Sequence, residues 1–188
     1  MKTKKRCPWV SDDPVYLAYH DNEWGRPVHD DRQLFEKLIL DGFQAGLSWI
    51  TVLKKRENFK HAFDDFDPEV ISTYDEKKVQ ELMNNSGIIR NRLKIEATIA
   101  NAKAYLALIQ RSSFNDFLWS FTNGRIIRNL PETIKDYKAS SPQSDAMSKA
   151  LKKAGFKFVG TTICYAFMQA VGMVNDHSKD CFCSKEFL

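Results

Sequence analysis

Residues 144–172 read SDAMSKALKKAGFKFVGTTICYAFMQAVG, and they contain two helical segments joined by a short turn. Apolar residues recur at intervals of three to four in the first segment, and Gly155 suits the left-handed position that commonly follows a helix. The second segment begins after Gly160. The backbone N–H groups of Gly160, Thr161 and Thr162 are expected to be unsatisfied donors that can bind a phosphate of DNA. A simple corner between two helices fits the same pattern.

The same helical spacing runs through most of the chain, and strand patterns are nearly absent. Further helices are predicted from Pro14 to about Gly25, from Asp30 or Asp31 to Gly42, from Ser48, from Asp67, from Asp75 to Gly87, from Asn91 to Gln110 and over FNDFLWSF. Residues 122–144 are rich in Gly, Pro, Ser and Asn and are predicted to form turns and a loop. The sequence therefore predicts an all-α fold, either as a single domain over residues 1–188 or as two helical lobes around one cleft.

Composition excludes several classes of protein. The chain has 188 residues, of which 43% are hydrophobic and 28% charged, so it is neither disordered nor of low complexity. The longest stretch without a charged residue, 158–175, is too short and too polar to span a bilayer and is predicted to form a buried helix. No apolar segment follows the basic start MKTKKR, so we expect a cytoplasmic protein without a secretory signal.

Charge is distributed unevenly although the formal net charge is only +4. Basic residues cluster at 2–6, at 54–60 and at 149–157, whereas residues 64–81 are acidic. This asymmetry suits a protein that presents a basic face to a polyanion. Ordinary solvated helix faces would give the same asymmetry.

Aromatic residues are dense near the start of the chain, at Trp9, Tyr16, Tyr19, Trp24, Phe43 and Trp49. Tyr16 and Tyr19 are three residues apart and share a helix face. Asp41 lies near the end of an apolar helix, where a carboxylate is a poor partner for the helix dipole. Flat rings around one carboxylate suit a planar cationic heterocycle, through stacking, cation–π attraction and a charge-assisted hydrogen bond. The alternative is an aromatic core with a solvated Asp41.

Residues near both ends of the chain have the donor chemistry of a metal site. His177 and Cys181 are four residues apart, so they lie on one helix face or across one turn. Cys7 and His20 can complete a tetrahedral set of two cysteines and two histidines for Zn²⁺. Cys183 is an alternative to Cys181, and an isolated histidine with surface cysteines fits the spacing equally well.

Four segments of the chain form an ordered set of motifs: CPWVSDDPVYLAYHDNEWG, QAGLSWITVLKKRENF, SGIIRNRLKIEA and LKKAGFKFVGTTICYAFMQAVGMVNDH. Together they resemble the bacterial DNA-3-methyladenine glycosylase I family over essentially the whole chain. The resemblance implies a helix-hairpin-helix glycosylase fold and an enzyme that flips 3-methyladenine out of double-stranded alkylated DNA and hydrolyses its N-glycosidic bond. It implies no catalytic lysine. We therefore expect a monofunctional, monomeric base-excision repair enzyme that releases free 3-methyladenine.

The resemblance also assigns roles to individual residues. The base pocket maps onto Tyr16, Tyr19 and Trp49, joined by Trp9 and Trp24; the DNA wedge maps onto Gly46 and Leu47; and a structural zinc maps onto Cys7, His20, His177 and Cys181. The pocket carboxylate maps onto Asp41, which is expected to bind the base and favour its cationic form rather than act as a general base. The family pattern has Glu at this position, so Asp41 shortens the reach by about 1.5 Å.

Two other classes of function compete with the glycosylase. One is a non-catalytic domain, stabilised by a structural zinc ion, that recognises damaged DNA or methylated purines without cleaving them. The departure from the family's Glu at Asp41 keeps this alternative open. The other is a helical protein-interaction domain whose basic residues only confer solubility.

Overall fold

The regular structure of residues 4–185, the part of the chain that the computed structural model describes, is almost entirely helical. Its α-helices are α1 (Pro14–Asn22), α2 (Asp31–Gln44), α3 (Trp49–Leu53), α4 (Arg56–Ala62), α5 (Pro68–Ile71), α6 (Glu76–Asn84), α7 (Arg92–Ile109), α8 (Phe114–Trp119), α9 (Pro142–Lys153) and α10 (Thr161–Ala170). Two short strands, β1 (Ile127–Arg128) and β2 (Val174–Asn175), pair in parallel. The predicted all-α fold is confirmed. No helix within the described residues is both long and apolar enough to cross a membrane.

The ends of α1 and α2 differ from those predicted at Gly25 and Gly42. Helix α1 ends at Asn22, and Gly25 adopts a φ of +78° beyond it. Helix α2 continues through Gly42 to Gln44, because the buried ring of Phe43 contributes more than the roughly 1 kcal/mol that a helical glycine costs. The extra turn carries the segment that follows α2 toward the N-terminus of α3.

Helices α9 and α10 are joined by a turn that α7 holds in place. Gly155 follows α9 with a φ of +100°, as its predicted capping position requires. Asn101 of α7 accepts a hydrogen bond from the Lys157 N–H at 2.7 Å and donates one to the Lys157 carbonyl at 3.2 Å. Ser148 of α9 donates to the carbonyl of Val159 at 2.6 Å. These bonds fix the N-terminus of α10, which packs against both α9 and α2.

The segment predicted as a loop contains a structural element that local sequence does not indicate. Strand β1 pairs with β2, with Ile127 opposite Val174 and Arg128 opposite Asn175. Such a short parallel pair depends on contacts between distant parts of the chain, so its residues carry no strand pattern of their own. The pairing directs the chain after β2 toward the N-terminal segment.

The basic cluster at 54–60 is largely neutralised within the fold. Arg56 and Lys60 of this cluster lie in helix α4, which was not predicted. The helix is held by its buried Phe59, which packs on Phe43 with ring centroids 4.6 Å apart. Three cations of this cluster have acidic partners, namely Lys54 with Asp13, Arg56 with Glu23 and Lys60 with Glu36, while Lys55 donates to backbone carbonyls. The basic residues at 54–60 therefore mainly form ion pairs within the protein.

Candidate functional site

A cavity of about 270 Å³ opens between α1, α2, α3 and α10. The six side chains predicted to form a pocket all line it, namely Trp9, Tyr16, Tyr19, Trp24, Asp41 and Trp49. The other lining residues are Gln44, Ile134, Tyr137, Lys138, Ala166, Gln169 and Ala170. Ile134, Tyr137 and Lys138 come from the segment predicted as a loop, and no periodic signal marked them.

The aromatic rings of the cavity contact one another at an angle rather than in a closed stack. The ring centroids of Trp9 and Tyr16 are 5.3 Å apart, those of Trp9 and Trp24 are 4.8 Å apart, and those of Tyr19 and Trp49 are 5.4 Å apart. The indole N–H groups of Trp9 and Trp49 are buried and have no hydrogen-bond partner within residues 4–185. The cavity therefore offers both ring faces and unused donors to a planar ligand.

Asp41 is the buried acid of this cavity. Its side chain lies in the last turn of α2, the residue is 2% exposed, and its Oδ2 atom has no hydrogen-bond partner in the described part of the chain. Burial raises the pKa of Asp41 to about 7, and the positive charge of Lys37 opposes that rise. A buried acceptor without a partner is costly, so its presence points to a ligand.

Lys37 is a member of the site that sequence reasoning missed. Its ammonium group donates a hydrogen bond to the Tyr19 hydroxyl at 3.1 Å and lies 4.5 Å from the ring centroids of both Tyr19 and Trp49. On its other side a second cavity, lined largely by polar and charged residues, includes Glu23, Glu36 and Arg56. The spacing of Lys37 and Asp41, four residues apart in one helix, was the available signal.

The predicted wedge residues lie in the turn between α2 and α3. Gly46 has a φ of +80°, and no atom lies within 4 Å of the position a Cβ would take there. Leu47 is 41% exposed, and its backbone N–H donates to the carbonyl of Gln44 at 2.7 Å. An apolar side chain is thus exposed on a tight turn beside the cavity residue Gln44.

The four predicted metal ligands converge although they come from opposite ends of the chain. Cys7, His20, His177 and Cys181 are buried, and their ligand atoms all lie within 4.8 Å of one another. Cys7 Sγ lies 3.5 Å from His177 Nδ1, and Cys181 Sγ lies 3.5 Å from His20 Nε2 and 3.6 Å from His177 Nδ1. Cys183 instead groups with His20 and Asp21. The Cys7, His20, His177 and Cys181 cluster can hold a metal ion.

Hydrogen bonds outside this cluster orient both imidazole rings toward it. His177 Nε2 lies 3.1 Å from the carbonyl oxygen of Trp24, and His20 Nδ1 lies 2.8 Å from a carboxylate oxygen of Asp21. Both partners can only accept, so these ring nitrogens carry the protons and the opposite nitrogens are free to ligate. Hydrogen bonds from Cys181, His177 and His20 lower the pKa of the Cys7 thiol and favour its thiolate, whereas the contact with Cys7 raises the pKa of the Cys181 thiol.

One layer of indole rings separates the cluster from the cavity. The Trp24 ring lies 4.7 Å from the His177 ring, and the Trp9 ring lies 5.4 Å from the His20 ring. Gly25 makes the close approach of His177 possible, since a Cβ at Gly25 would lie 2.8 Å from His177 Nε2. The cluster therefore supports two walls of the cavity without lining it.

The N-terminus of α10 is open at Gly160, where a Cβ would meet no atom within 4 Å. No side chain caps this helix end. The Thr161 hydroxyl is engaged by Asp145 at 2.6 Å and by Ser144 at 2.8 Å, so it is the backbone groups of Thr161 and Thr162 that are free to face a ligand.

Asp176 has a structural role. Its carboxylate accepts hydrogen bonds from Tyr165, Gln169 and Asn129 at 2.9, 2.7 and 2.7 Å. Gln169 also lines the cavity. Because both of its oxygens are bonded, Asp176 joins the segment after β1 to α10 and fixes the side chain of Gln169.

The sequence of this chain is similar to those of known proteins. The sequence profile of the methyladenine glycosylase family matches residues 9–184. The chain is similar to DNA-3-methyladenine glycosylase 1 of Escherichia coli (strain K12), with 56% identity over 180 residues that cover 95% of this chain and 96% of the relative.

Two solved structures have the same fold. A crystal structure of 3-methyladenine DNA glycosylase I matches with a TM-score of 0.94 and 58% identity, covering 95% of this chain and 99% of the other. A tyrosine-to-phenylalanine variant of such a glycosylase, in complex with 3-methyladenine, matches with a TM-score of 0.93 and 38% identity, covering 97% and 99%. The chain therefore belongs to the methyladenine glycosylase family and is a glycosidase, an enzyme of the hydrolase class.

Proposed function

We propose that this protein removes 3-methyladenine from double-stranded alkylated DNA by hydrolysing the N-glycosidic bond. The observation that carries the proposal is the buried, unpartnered Oδ2 of Asp41 in a cavity walled by aromatic rings. The cavity, about 270 Å³, is close to the lower limit of about 300 Å³ for ligand pockets, which suits a single base. A related glycosylase binds 3-methyladenine itself.

In hydrolysis of this N-glycosidic bond, the enzyme mainly has to select the modified base, and it needs little acid catalysis. Methylation at N3 makes the base cationic within the nucleotide and a good leaving group. The rings of Tyr19 and Trp49 supply stacking and cation–π attraction, and the Asp41 carboxylate accepts a hydrogen bond and favours the cationic form. The bond between the anomeric carbon and the base breaks as the neutral base departs with the bonding electron pair; water adds to the anomeric carbon and loses one proton to solvent, which leaves an intact abasic strand.

Base flipping brings the modified nucleotide to the cavity. Extrusion costs a few kcal/mol, and the cost is lowest for a base whose pairing is already weakened. The exposed Leu47, on the turn formed by Gly46, fills the gap left in the duplex. The free backbone N–H groups of Thr161 and Thr162, at the positive end of α10, bind a phosphate in the manner of a helix-hairpin-helix element.

Zinc is the metal that fits the buried cluster. In a tetrahedral site with Zn–S near 2.3 Å and Zn–N near 2.0–2.1 Å, sulfur and nitrogen ligands lie about 3.5 Å apart. The distances from Cys7 and Cys181 to their histidine partners are 3.5, 3.5 and 3.6 Å. A site closed by four protein ligands supplies structure rather than an activated water. It would join the segment before α1 to the segment after β2.

Release of the free base tests the proposal directly. The protein is incubated with methylated duplex DNA, and the released bases are separated by chromatography and identified by mass spectrometry. We expect 3-methyladenine in excess over a no-enzyme control and over the Asp41→Asn variant. Specific binding to alkylated duplex without any base release would instead identify a non-catalytic damage-recognition module. A covalent adduct trapped by borohydride would contradict the monofunctional mechanism.

A further inference from the structure

We propose that Lys37 is a positioning residue of the base pocket, whose ammonium charge favours the anionic form of the Asp41 carboxylate while leaving Oδ2 free for the base. The inference rests on the proposed function, because it gives the carboxylate its role in base recognition. It assigns a role to a lysine that lies behind the pocket wall and is not among the residues that line the cavity.

The geometry separates the charge of Lys37 from any direct bond to Asp41. The Lys37 ammonium donates to the Tyr19 hydroxyl at 3.1 Å and lies 4.5 Å from the Tyr19 and Trp49 ring centroids. Within residues 4–185, no hydrogen bond or ion pair joins it to Asp41, whose Oδ2 has no hydrogen-bond partner at all. Lys37 therefore acts on the carboxylate through its electric field, in a buried region where screening by water is weak.

The neighbouring acids are not free to neutralise Lys37. Glu23 forms a bidentate ion pair with Arg56, and a carboxylate oxygen of Glu36 lies 3.7 Å from Lys60 Nζ. Asp41 has no such partner. Burial lowers the pKa of Lys37, and among the nearby acids the charge of Asp41, one helical turn away on α2, opposes this most strongly.

Lys37 is the charged group with a resolved effect on the pKa of Asp41, although other ionisable groups lie near the cavity. Tyr16 and Tyr19 of α1 line the cavity with Asp41, as do Tyr137 and Lys138 from the segment before α9, and Cys164 is buried in α10. Burial raises the pKa of Tyr16, Tyr19 and Cys164, so these three groups are neutral. Burial alone would also keep Asp41 protonated, and Lys37 is the group that lowers its pKa.

Carbon-13 NMR of carboxyl-labelled aspartate in the free protein tests the proposal without relying on catalysis. In Lys37→Met we expect the Asp41 titration midpoint to rise by about one pH unit or more. Lys37→Gln, which can still donate to the Tyr19 hydroxyl, should shift it equally, whereas Lys37→Arg should restore it. Lys77→Met, which removes an exposed lysine from α6, is the matched control and should leave the midpoint unchanged.

The pH profile of base release gives a second readout. The acidic limb of the profile should move to higher pH in Lys37→Met and Lys37→Gln by the same amount as the Asp41 midpoint. An Asp41 midpoint that is unchanged in both folded variants overturns the proposal. If the parent protein releases no base, the proposed function fails, but the NMR titration still decides the role of Lys37.

Discussion

The ammonium group of Lys94, in the first turn of α7, donates a 2.6 Å hydrogen bond to the carbonyl oxygen of Ala45. A second bond, of 2.8 Å, goes to the carbonyl of Phe43. Lys94 is only 7% exposed, so its charge is directed at the C-terminal end of α2, where carbonyl groups lack helical partners. The residue after Ala45 is Gly46, so α7 fixes the start of the proposed wedge.

Lys94→Met should destabilise the protein and weaken base release. The substitution keeps an unbranched apolar stem, one atom shorter, but leaves two carbonyl groups without their charged donor. We expect a loss of about 1–3 kcal/mol in the free energy of unfolding, measured with urea. Base release by the folded fraction should also fall. Lys103→Met, on an exposed position of α7, is the control and should change neither quantity; an equally stable Lys94→Met protein would show that the two bonds contribute nothing.

Leu47→Ala should separate nonspecific DNA binding from capture of the flipped nucleotide. The wedge acts only after extrusion, so affinity for undamaged duplex should be nearly unchanged, while affinity for a duplex with an abasic-site analogue should fall. Fluorescence anisotropy on the two duplexes at equal salt measures both, because phosphate contacts depend strongly on salt. Equal losses on both duplexes would contradict the wedge assignment.

Asp41→Asn should fold normally and release 3-methyladenine more slowly. The amide keeps an acceptor but loses the charge, and a hydrogen bond to a charged group contributes about 1.5–3 kcal/mol, which corresponds to a loss of roughly 10- to 150-fold in rate. Asp41→Glu keeps the charge and extends the reach by about 1.5 Å, so it should remain active. Single-turnover base release measures both variants. An Asp41→Asn protein as fast as the parent would remove the carboxylate from recognition.

The same carboxylate should make stability depend on pH. Burial raises the pKa of Asp41 from 3.8 to about 7, so its contribution is fully present below pH 4 and is lost as pH rises toward 7. Asp41→Asn does not titrate. Its stability relative to the parent should therefore increase by about 2–3 kcal/mol between pH 5 and pH 8, as measured by urea unfolding at each pH. A difference that stays constant over this range would place the pKa of Asp41 near its ordinary value.

His177→Ala should lower both metal content and thermal stability. Loss of one of four ligands weakens metal binding, and the metal couples the N-terminal segment to the chain after β2. Mass spectrometry of the metal and thermal unfolding measure the two effects, and activity should follow the folded fraction. His61→Ala, an exposed histidine of α4, is the control. Full zinc content in an active His177→Ala protein would exclude His177 as a ligand.

Much of the helical framework follows from patterns within single segments. Capping residues such as Asp13 and Asp30, and Gly155 after α9, act on their own helix ends, so short-range rules locate them. The motifs also pointed to the aromatic residues and to Asp41. Local patterns failed where burial outweighed propensity, as at Gly42, where the buried surface of Phe43 carries α2 one turn further.

Other features depend on contacts that no local pattern contains. The pairing of β1 with β2 joins residues far apart in the chain, and the lining of the cavity by Tyr137 follows from how an irregular segment packs. Spacing left Cys181 and Cys183 as alternatives, and packing places Cys181 with the histidines. The role of Lys37 also depends on tertiary structure. Packing places its ammonium group close to the rings of Tyr19 and Trp49. The nearby acids Glu23 and Glu36 are already in ion pairs with Arg56 and Lys60.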